Sequence, residues 1–313
     1  MTPPASAATP PSPLAIEPGS PAAWRIAIRP KTLWIATIPV LVATCLAWSL
    51  DGAFSAWIAA VALAAAVLMQ VISNLQNDVG YTQRGAETGG RIGLPRATAQ
   101  GWLTPSAVRR AIVVAIVAAQ VIALPLMLRG GWPIVLTSVS STVAAWAYMG
   151  GPRPIAYTPF GEFTVFVFFG LVAVVGAYYV QAGTVPAAAW LAAAAIGLHA
   201  AAVLLVNNYR DRVHDLATGR RTLAAIVPAP LLLGLYALLL VAPFALTLTI
   251  AAQVSGRWFL LPLFALPRAI GLARALPVAP AGAAQNALLF RTVMLEVAFG
   301  LLLSLGALLH RAT

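Results

Sequence analysis

Nine long apolar runs divide this sequence and constrain its fold more than any other feature. A helix needs about 20 mostly apolar residues to cross the hydrocarbon core of a bilayer. Only helices and closed barrels satisfy their backbone hydrogen bonds in lipid, so the runs predict an all-α, polytopic membrane bundle of about nine transmembrane helices. The predicted helices lie at 33–50, 53–76, 107–128, 132–149, 160–181, 186–207, 227–250, 257–273 and 292–310.

The composition agrees with a chain embedded in the lipid bilayer. Hydrophobic residues make up 61% of it and charged residues only 9%, whereas a soluble domain carries roughly 25% charged residues. The net charge of +11 would suit a nucleic-acid partner, but the basic residues lie between the apolar runs instead of forming one cluster. The charge therefore indicates anionic lipid headgroups, an anionic substrate and a topology signal, and no nucleic-acid partner.

The basic residues fall mainly on one side of the predicted helices. With a cytoplasmic N-terminus, all of the 19 except Arg129, Arg257 and Arg311 lie on cytoplasmic segments. Because positive residues favour the cytoplasmic side, this predicts a multi-pass protein of the cell inner (plasma) membrane whose polar, active face is cytoplasmic. Residues 1–22, rich in Pro, Ala and Ser, are predicted to be a disordered cytosolic tail, followed by one membrane domain at 23–313.

Two polar segments interrupt the apolar pattern at the ends of predicted helices. Asn74 precedes Asp78 by four residues after the second run, and Asn207 precedes Asp211 by four residues after the sixth, with Asp215 following. Residues four apart share one face of a helix. The segments therefore predict two polar stripes, related as a faint internal repeat and facing the same side of the membrane.

The residue types in these stripes suit a metal ion and a phosphate. Mg²⁺ prefers carboxylate and amide oxygens and usually bridges one or two carboxylates to substrate phosphates. Arginines, which can bind phosphate through two hydrogen bonds, accompany both segments: Arg84, Arg91 and Arg96, and Arg210, Arg212, Arg220 and Arg221. Acidic residues at membrane depth are functional candidates. The alternative is that the acids and amides cap helix ends and the arginines only set topology.

These segments, with further motifs, resemble the UbiA superfamily of intramembrane prenyltransferases. Within it the resemblance is greatest to the 1,4-dihydroxy-2-naphthoate polyprenyltransferases of menaquinone synthesis. The resemblance runs from about residue 25 to 310. It rests on 29–32, 73–78, 91–96, 150–154, 161–162, 168–176, 207–211 and 215–223.

The resemblance implies a nine-helix bundle with a central cavity open toward the membrane. The implied reaction is Mg²⁺-dependent transfer of a polyprenyl group from a polyprenyl diphosphate to an aromatic acceptor. With 1,4-dihydroxy-2-naphthoate the acceptor loses carbon dioxide and gives demethylmenaquinone. The implied catalytic and metal-binding residues are Asp78, Asp211 and Asp215. The implied substrate-binding residues are Asn74, Asn77, Arg96, Tyr148, Glu162, Asn207, Arg210 and Arg220.

The first polar segment departs from the pattern of the family at one position. The resemblance implies a second aspartate three residues after the Asn77–Asp78 pair, where this chain has Tyr81. Glu87 is a candidate substitute.

Two rival interpretations remain open. One is a prenyltransferase for another acceptor, of the 4-hydroxybenzoate or haem type. The other is a transporter of organic anions, which is also built from helical repeats with polar residues. A transporter is expected to break its helices near the bilayer midplane, whereas these motifs lie at one membrane face, so the pattern favours an enzyme.

Overall fold

Helices form at all nine predicted runs in the computed structural model, which describes residues 16–86, 93 and 95–313. The helices are α1 (Pro21–Ile28), α2 (Trp34–Asp51), α3 (Ala56–Gln83), α4 (Pro105–Gly130), α5 (Trp132–Ala147), α6 (Gly161–Val165), α7 (Ala173–Ala182), α8 (Ala187–Ala217), α9 (Leu223–Ile226), α10 (Ala229–Gln253), α11 (Leu266–Ala275) and α12 (Ala283–Ala312). A π-helix, Phe166–Val172, joins α6 to α7. Segments of 3₁₀ helix lie at Pro30–Thr32, Ile155–Tyr157, Arg257–Ala265 and Leu276–Val278. The all-α class is confirmed.

Eight helical segments within the described part of the chain are long and apolar enough to cross a membrane. The run predicted at 132–149 forms α5, which has 16 residues. At 1.5 Å per residue this helix is about 24 Å long, shorter than the hydrocarbon core of about 30 Å. The chain is thus a multi-pass membrane protein, whose described residues form eight helical segments of membrane-spanning length and the shorter α5.

The structure describes the predicted tail from residue 16, where the chain leads into helix α1. Helix α1 begins at Pro21, and the Ser20 side chain caps it by accepting a hydrogen bond from the backbone of Ala23. The backbone N–H of Gly19 donates to the carbonyl of Trp102 at 2.8 Å. The earlier part of the predicted tail, residues 1–15, lies outside the described residues.

Helices α3 and α8 continue past the ends of their apolar runs. Helix α3 ends at Gln83 and α8 at Ala217, seven and ten residues beyond the predicted ends at 76 and 207. Glycines in the left-handed conformation follow both ends, Gly85 with φ 63° and Gly219 with φ 76°, and such residues commonly terminate helices. The polar segments are therefore helical, and each stripe lies on one continuous helix as predicted.

Small residues allow α8 to pack closely at the centre of the bundle. Helix α8 contacts α10, α12 and the π-helix. A Cβ atom built on Gly170 would lie 2.5 Å from the Cα of Gly197, so the two backbones touch. Small residues at helix interfaces permit such an approach in membranes, where the lipid supplies no hydrophobic driving force.

The end of the bundle away from the polar segments holds the few basic residues that the sequence assigns there. The Arg129 side chain donates to the carbonyl of Val180 near the end of α7 at 2.7 Å. The Arg311 guanidinium lies 5.4 Å from the ring of Trp48 near the end of α2. Because α3 and α8 begin at this end, their polar segments lie at the opposite end.

We expect Gly197→Ala to destabilise the protein by about 1–3 kcal/mol, the usual cost of overpacking. The new Cβ would lie 2.6 Å from the backbone oxygen of Phe166, which cannot move aside as a flexible side chain could. The measurement is thermal unfolding of the full chain in detergent. Gly234→Ala on α10 is the control, because a Cβ there meets nothing within 4 Å. Equal shifts for the two variants would contradict the packing argument.

Candidate active site at the polar end of the bundle

A cavity of about 830 Å³ lies inside the bundle, and its basic and amide side chains gather at one of its ends. On α3 its lining extends from Ala62 to Asn77, a distance of about 22 Å along the helix axis. The apolar part is lined by residues such as Leu126, Ile134, Phe169 and Val172. A hydrocarbon chain would lose its contact with water along most of this length.

The polar end of the cavity is positively charged. Its lining there includes four basic residues: Arg25, Arg29, Lys31 and Arg210. It also includes five amides: Gln70, Asn74, Asn77, Asn207 and Asn286. Among the described residues of the lining there is no Asp or Glu. Basic walls of low polarizability concentrate the electric field in a cleft, so this end suits an anionic group.

The residues predicted from sequence divide into two groups in the structure. Those that line the cavity are Asn74, Asn77, Tyr148, Asn207 and Arg210. Those that are buried outside the lining are Asp78, Arg96, Glu162, Asp211, Asp215 and Arg220. The predicted residues therefore lie at the polar end of the bundle, and their carboxylates lie outside the cavity wall.

Arg210 connects three side chains at the polar end. Its guanidinium donates to both oxygens of Asp211, at 2.9 and 2.6 Å. It also donates to the Oδ1 atoms of Asn207 at 2.9 Å and Asn286 at 2.8 Å. Asn286 lies on α12, so this arginine joins α8 to the last helix while it faces the cavity.

Asp215 is paired with Arg220 just beyond the end of α8. The turn at Gly219, which requires positive φ, brings Arg220 back so that it forms an ion pair with Asp215 Oδ1. Arg220 also donates to the carbonyl of Ala156. Burial alone would lower the pKa of Arg220, but neighbouring Tyr81 and Asp215 outweigh it and raise this pKa above its usual value. The Oδ2 atom of Asp215 is buried and finds no hydrogen-bond partner among the described residues.

Asp78 anchors the segment that follows the first polar stripe. Its carboxylate accepts hydrogen bonds from the backbone N–H groups of Ala97 and Thr98, both at 2.8 Å, and from the Thr98 hydroxyl at 2.7 Å. A carboxylate that accepts three such bonds is satisfied without a metal ion. The role of Asp78 as a metal ligand stays a prediction.

Asn74 holds the corner between α1 and α2 in place. Its Nδ2 donates to the carbonyl of Ile28 at 2.7 Å and to Thr32 Oγ1 at 3.0 Å. Between those two residues, Arg29 adopts the left-handed conformation with φ 56°. Such a conformation is uncommon for a residue with a side chain, and it persists where neighbours over-determine it. The polar stripe on α3 therefore positions a basic residue of the cavity.

Sequence reasoning missed three of the basic residues that line the cavity. Arg25, Arg29 and Lys31 were interpreted as topology signals before the first span. The available signal was that Arg29–Thr32 already belongs to the motifs that carry the resemblance. Asn286 was also missed, because it precedes the predicted start of the last helix at 292, whereas α12 begins at Ala283.

Glu162 lies beside the second polar stripe rather than in the cavity wall. Its Oε1 accepts a hydrogen bond from Asn208 Nδ2 at 2.9 Å, and its Oε2 is buried without a partner in the described part of the chain. Tyr148, which follows α5, does line the cavity. Arg91 and Glu87, both named in the sequence analysis, lie outside the described residues.

The carboxylates at the polar end differ in how well they suit Mg²⁺. Within 16–86, 93 and 95–313, no group of three or more His, Cys, Asp or Glu side chains is placed to hold a metal ion. Mg²⁺ usually takes only one or two carboxylates together with substrate phosphates. Asp211 and Asp215, one turn apart with an unpartnered oxygen on Asp215, fit this requirement. The α3 side fits less well, because helix α3 carries a single carboxylate, Asp78, and has Tyr81 where the resemblance implies a second.

An apolar cavity in a membrane bundle, closed at one end by basic and amide side chains, is the arrangement expected of an enzyme that handles an anionic lipid. Residues 36–295 match the model of the UbiA prenyltransferase family, so the chain belongs to that family. It is therefore a membrane-embedded prenyltransferase.

Named relatives and solved structures agree with this assignment. The chain is 38% identical over 207 residues to the 1,4-dihydroxy-2-naphthoate octaprenyltransferase of Escherichia coli K12, covering 64% of this chain and 67% of that one. It is 34% identical over 249 residues to the enzyme of the same name from Mycobacterium leprae, covering 80% and 83%.

Two solved structures share the fold at low sequence identity. The apo structure of a UbiA homolog from Aeropyrum pernix K1 has a TM-score of 0.68 at 15% identity, covering 86% of this chain and 96% of that one. A UbiA homolog from Archaeoglobus fulgidus, bound to GPP and Mg²⁺, has a TM-score of 0.67 at 14% identity, covering 90% and 99%.

We expect Asp78→Ala to speed amide hydrogen exchange at Ala97 and Thr98 by about tenfold or more. Each N–H loses a charged acceptor, and such hydrogen bonds are worth about 1.5–3 kcal/mol. Exchange measured by mass spectrometry on the full chain tests this. Thr98→Val is the control, because it removes the hydroxyl contacts to Asp78 and Thr82 and leaves both backbone hydrogen bonds to the carboxylate intact. Unchanged exchange in Asp78→Ala would show that the carboxylate does not anchor this segment.

Proposed function

We propose that this chain transfers a polyprenyl group from a polyprenyl diphosphate to 1,4-dihydroxy-2-naphthoate, with loss of carbon dioxide, to form the demethylmenaquinone skeleton. One observation carries the proposal: a long apolar cavity ends in four basic side chains without a carboxylate in its described lining. This arrangement matches a lipid tail with an anionic head. The names of the Escherichia coli and Mycobacterium leprae relatives support the acceptor.

The donor would lie along the cavity with its diphosphate at the basic end. Arg210 is held by Asn207, Asn286 and Asp211, so its guanidinium is fixed in orientation before the substrate arrives. A fixed guanidinium loses little conformational freedom on binding, and it can contact two phosphate oxygens at once. Arg29 and Lys31 add further positive charge at the same end.

A divalent cation is part of the proposal. Asp211 and Asp215 would hold Mg²⁺, aided by the amide oxygens of Asn77 and Asn207, two residues that line the cavity. The Oδ1 atom of Asn77 is buried without a hydrogen-bond partner among the described residues. When bound, Mg²⁺ supplies a Lewis acid that neutralises charge on the departing diphosphate.

The cavity walls would protect the carbocation left when the allylic carbon–oxygen bond breaks. Phe168, Phe169 and Tyr148 line the cavity, and aromatic faces attract a cation. The apolar lining excludes water that would otherwise capture it. The electron-rich acceptor ring then forms the new carbon–carbon bond, and its carboxylate departs as carbon dioxide.

The orientation in the membrane follows from the same distribution of charge. We propose that residues 23–313 form one domain in the cell inner membrane, with the polar end and the N-terminal tail cytoplasmic. The positive-inside bias supports this orientation, since all but three of the 19 basic residues belong to the predicted cytoplasmic side. Arg129 and Arg311 lie at the other end of the bundle.

We expect membranes that contain the full chain to prenylate 1,4-dihydroxy-2-naphthoate when given Mg²⁺ and labelled octaprenyl diphosphate. Asp211→Asn or Asp215→Asn should lower turnover by about 100-fold or more, because each removes charge that would hold the metal ion. The labelled product, separated by chromatography, is the measurement. Arg110→Gln, an exposed change on α4 near the same end, should leave turnover unchanged.

Two outcomes would contradict this proposal. If no acceptor, including 4-hydroxybenzoate, is prenylated with any chain length while the diphosphate is bound or moved, the chain is not acting as a prenyltransferase. If Asp211→Asn and Asp215→Asn retain full turnover, these carboxylates do not hold the metal ion.

A further inference from the structure

Tyr81 occupies the position at which the resemblance implies an aspartate, and its ring contacts two arginines. The side chain is buried, with 4% of its surface exposed. The guanidinium carbon of Arg96 lies 4.3 Å from the ring centroid, and that of Arg220 lies 4.8 Å from it. Both distances are within the range of about 6 Å for attraction between a cation and an aromatic face.

This ring links the two polar segments of the chain. Arg96 precedes Ala97 and Thr98, the residues that Asp78 anchors to α3. Arg220 belongs to the turn after α8 and is paired with Asp215. Tyr81 therefore connects the segment that follows the first stripe to the segment that follows the second.

The described contacts around this ring involve no metal ion. Arg220 is paired with Asp215, and the Asp78 carboxylate accepts hydrogen bonds from Ala97 and Thr98. The phenol of Tyr81 attracts both guanidinium groups without adding a charge of its own. A carboxylate at position 81 would instead add a negative charge in a buried place, which costs several kcal/mol unless a cation offsets it.

We propose that, because of Tyr81, the α3 side of the site needs no metal ion; this side is the polar stripe on α3 with the segment that Asp78 anchors. The Tyr81 ring holds Arg96 and Arg220 at the place where a bound cation would otherwise join the two polar segments. Tyr81 is a positioning residue in this account, since it acts through the arginines. The inference rests on the proposed function only in assigning the divalent cation to the α8 side. Its tests use no prenyl donor and no aromatic acceptor.

The first test asks whether restoring a carboxylate creates a need for a cation. Tyr81→Asp, Tyr81→Asn and Tyr81→Phe are compared with the unaltered protein by thermal unfolding of the full chain in detergent, with EDTA or with Mg²⁺. We expect Mg²⁺ to raise the unfolding temperature of Tyr81→Asp by about 3 °C or more beyond its effect on the unaltered protein. Tyr81→Phe keeps the ring and Tyr81→Asn lacks the charge, so both should respond to Mg²⁺ as the unaltered protein does. Equal Mg²⁺ responses for Tyr81→Asp and Tyr81→Asn would overturn the proposal.

The second test leaves position 81 unchanged, so it remains decisive if Tyr81→Asp fails to fold. Binding of Mn²⁺ in the presence of inorganic diphosphate is measured by electron paramagnetic resonance. Asp78→Asn should leave the Mn²⁺ affinity within about twofold, because the α3 side would hold no metal ion. A loss of about tenfold or more in Asp78→Asn would overturn the proposal. In the same assay, an unchanged affinity in Asp215→Asn would contradict the proposed function instead.

Discussion

The hydrocarbon core of a bilayer offers no hydrogen-bond partner, and this constraint organises the whole chain. Backbone polar groups must be satisfied within helices, and polar side chains must gather where the bundle meets water or pair inside it. Helices α3 and α8 have 28 and 31 residues, whereas about 20 are enough to cross the core. Their extra turns carry Asn74 to Asp78 and Asn207 to Asp215 to one end of the bundle. The cavity acquires its single polar end because both long helices point the same way.

Burial then dictates how the charges of that end are arranged. A buried charge costs several kcal/mol unless a partner offsets it, so each of the two carboxylates of the second stripe is paired with an arginine. Asp211 pairs with Arg210 and Asp215 with Arg220. A diphosphate and a divalent cation could replace these partners together. Each arginine would then bind a phosphate in place of its carboxylate, and each carboxylate would bind the cation in place of its arginine. In this exchange every carboxylate and every guanidinium would keep a partner of opposite charge, which would keep the cost of opening the pairs low.

Much of the fold could be predicted because apolar length is a local property of the sequence. All nine runs became helices, and each polar stripe lies on one helix. The helix ends could not be predicted, because they depend on Gly85 and Gly219 in left-handed turns rather than on where apolar residues stop. The π-helix packs against α8 through Gly170 and Gly197, a contact that the local sequence does not show.

The candidate site was predicted in its residue types but not in their partners. Spacing placed Asn74 and Asp78 on one face, but it could not show that Asn74 binds the corner at Ile28. Nor could spacing show that Asp78 binds the backbone of Ala97 and Thr98. Those partners come from chain segments whose positions depend on the packing of the whole bundle. Arg29 was overlooked as a cavity residue for the same reason, since its left-handed turn is imposed by its neighbours.

The asymmetry between the two halves has a physical consequence for the site. A metal ion is held by exchangeable bonds and can leave with a charged product, whereas a guanidinium is covalently part of the chain and stays. Arg96 and Arg220, held by the ring of Tyr81, would thus join the two polar segments whatever the supply of divalent cations. Asp211 and Asp215 on α8 would hold the exchangeable cation of the proposed function. Fixed and exchangeable positive charge would then have different roles in one site, since the guanidinium groups hold the segments together and the cation meets the departing diphosphate.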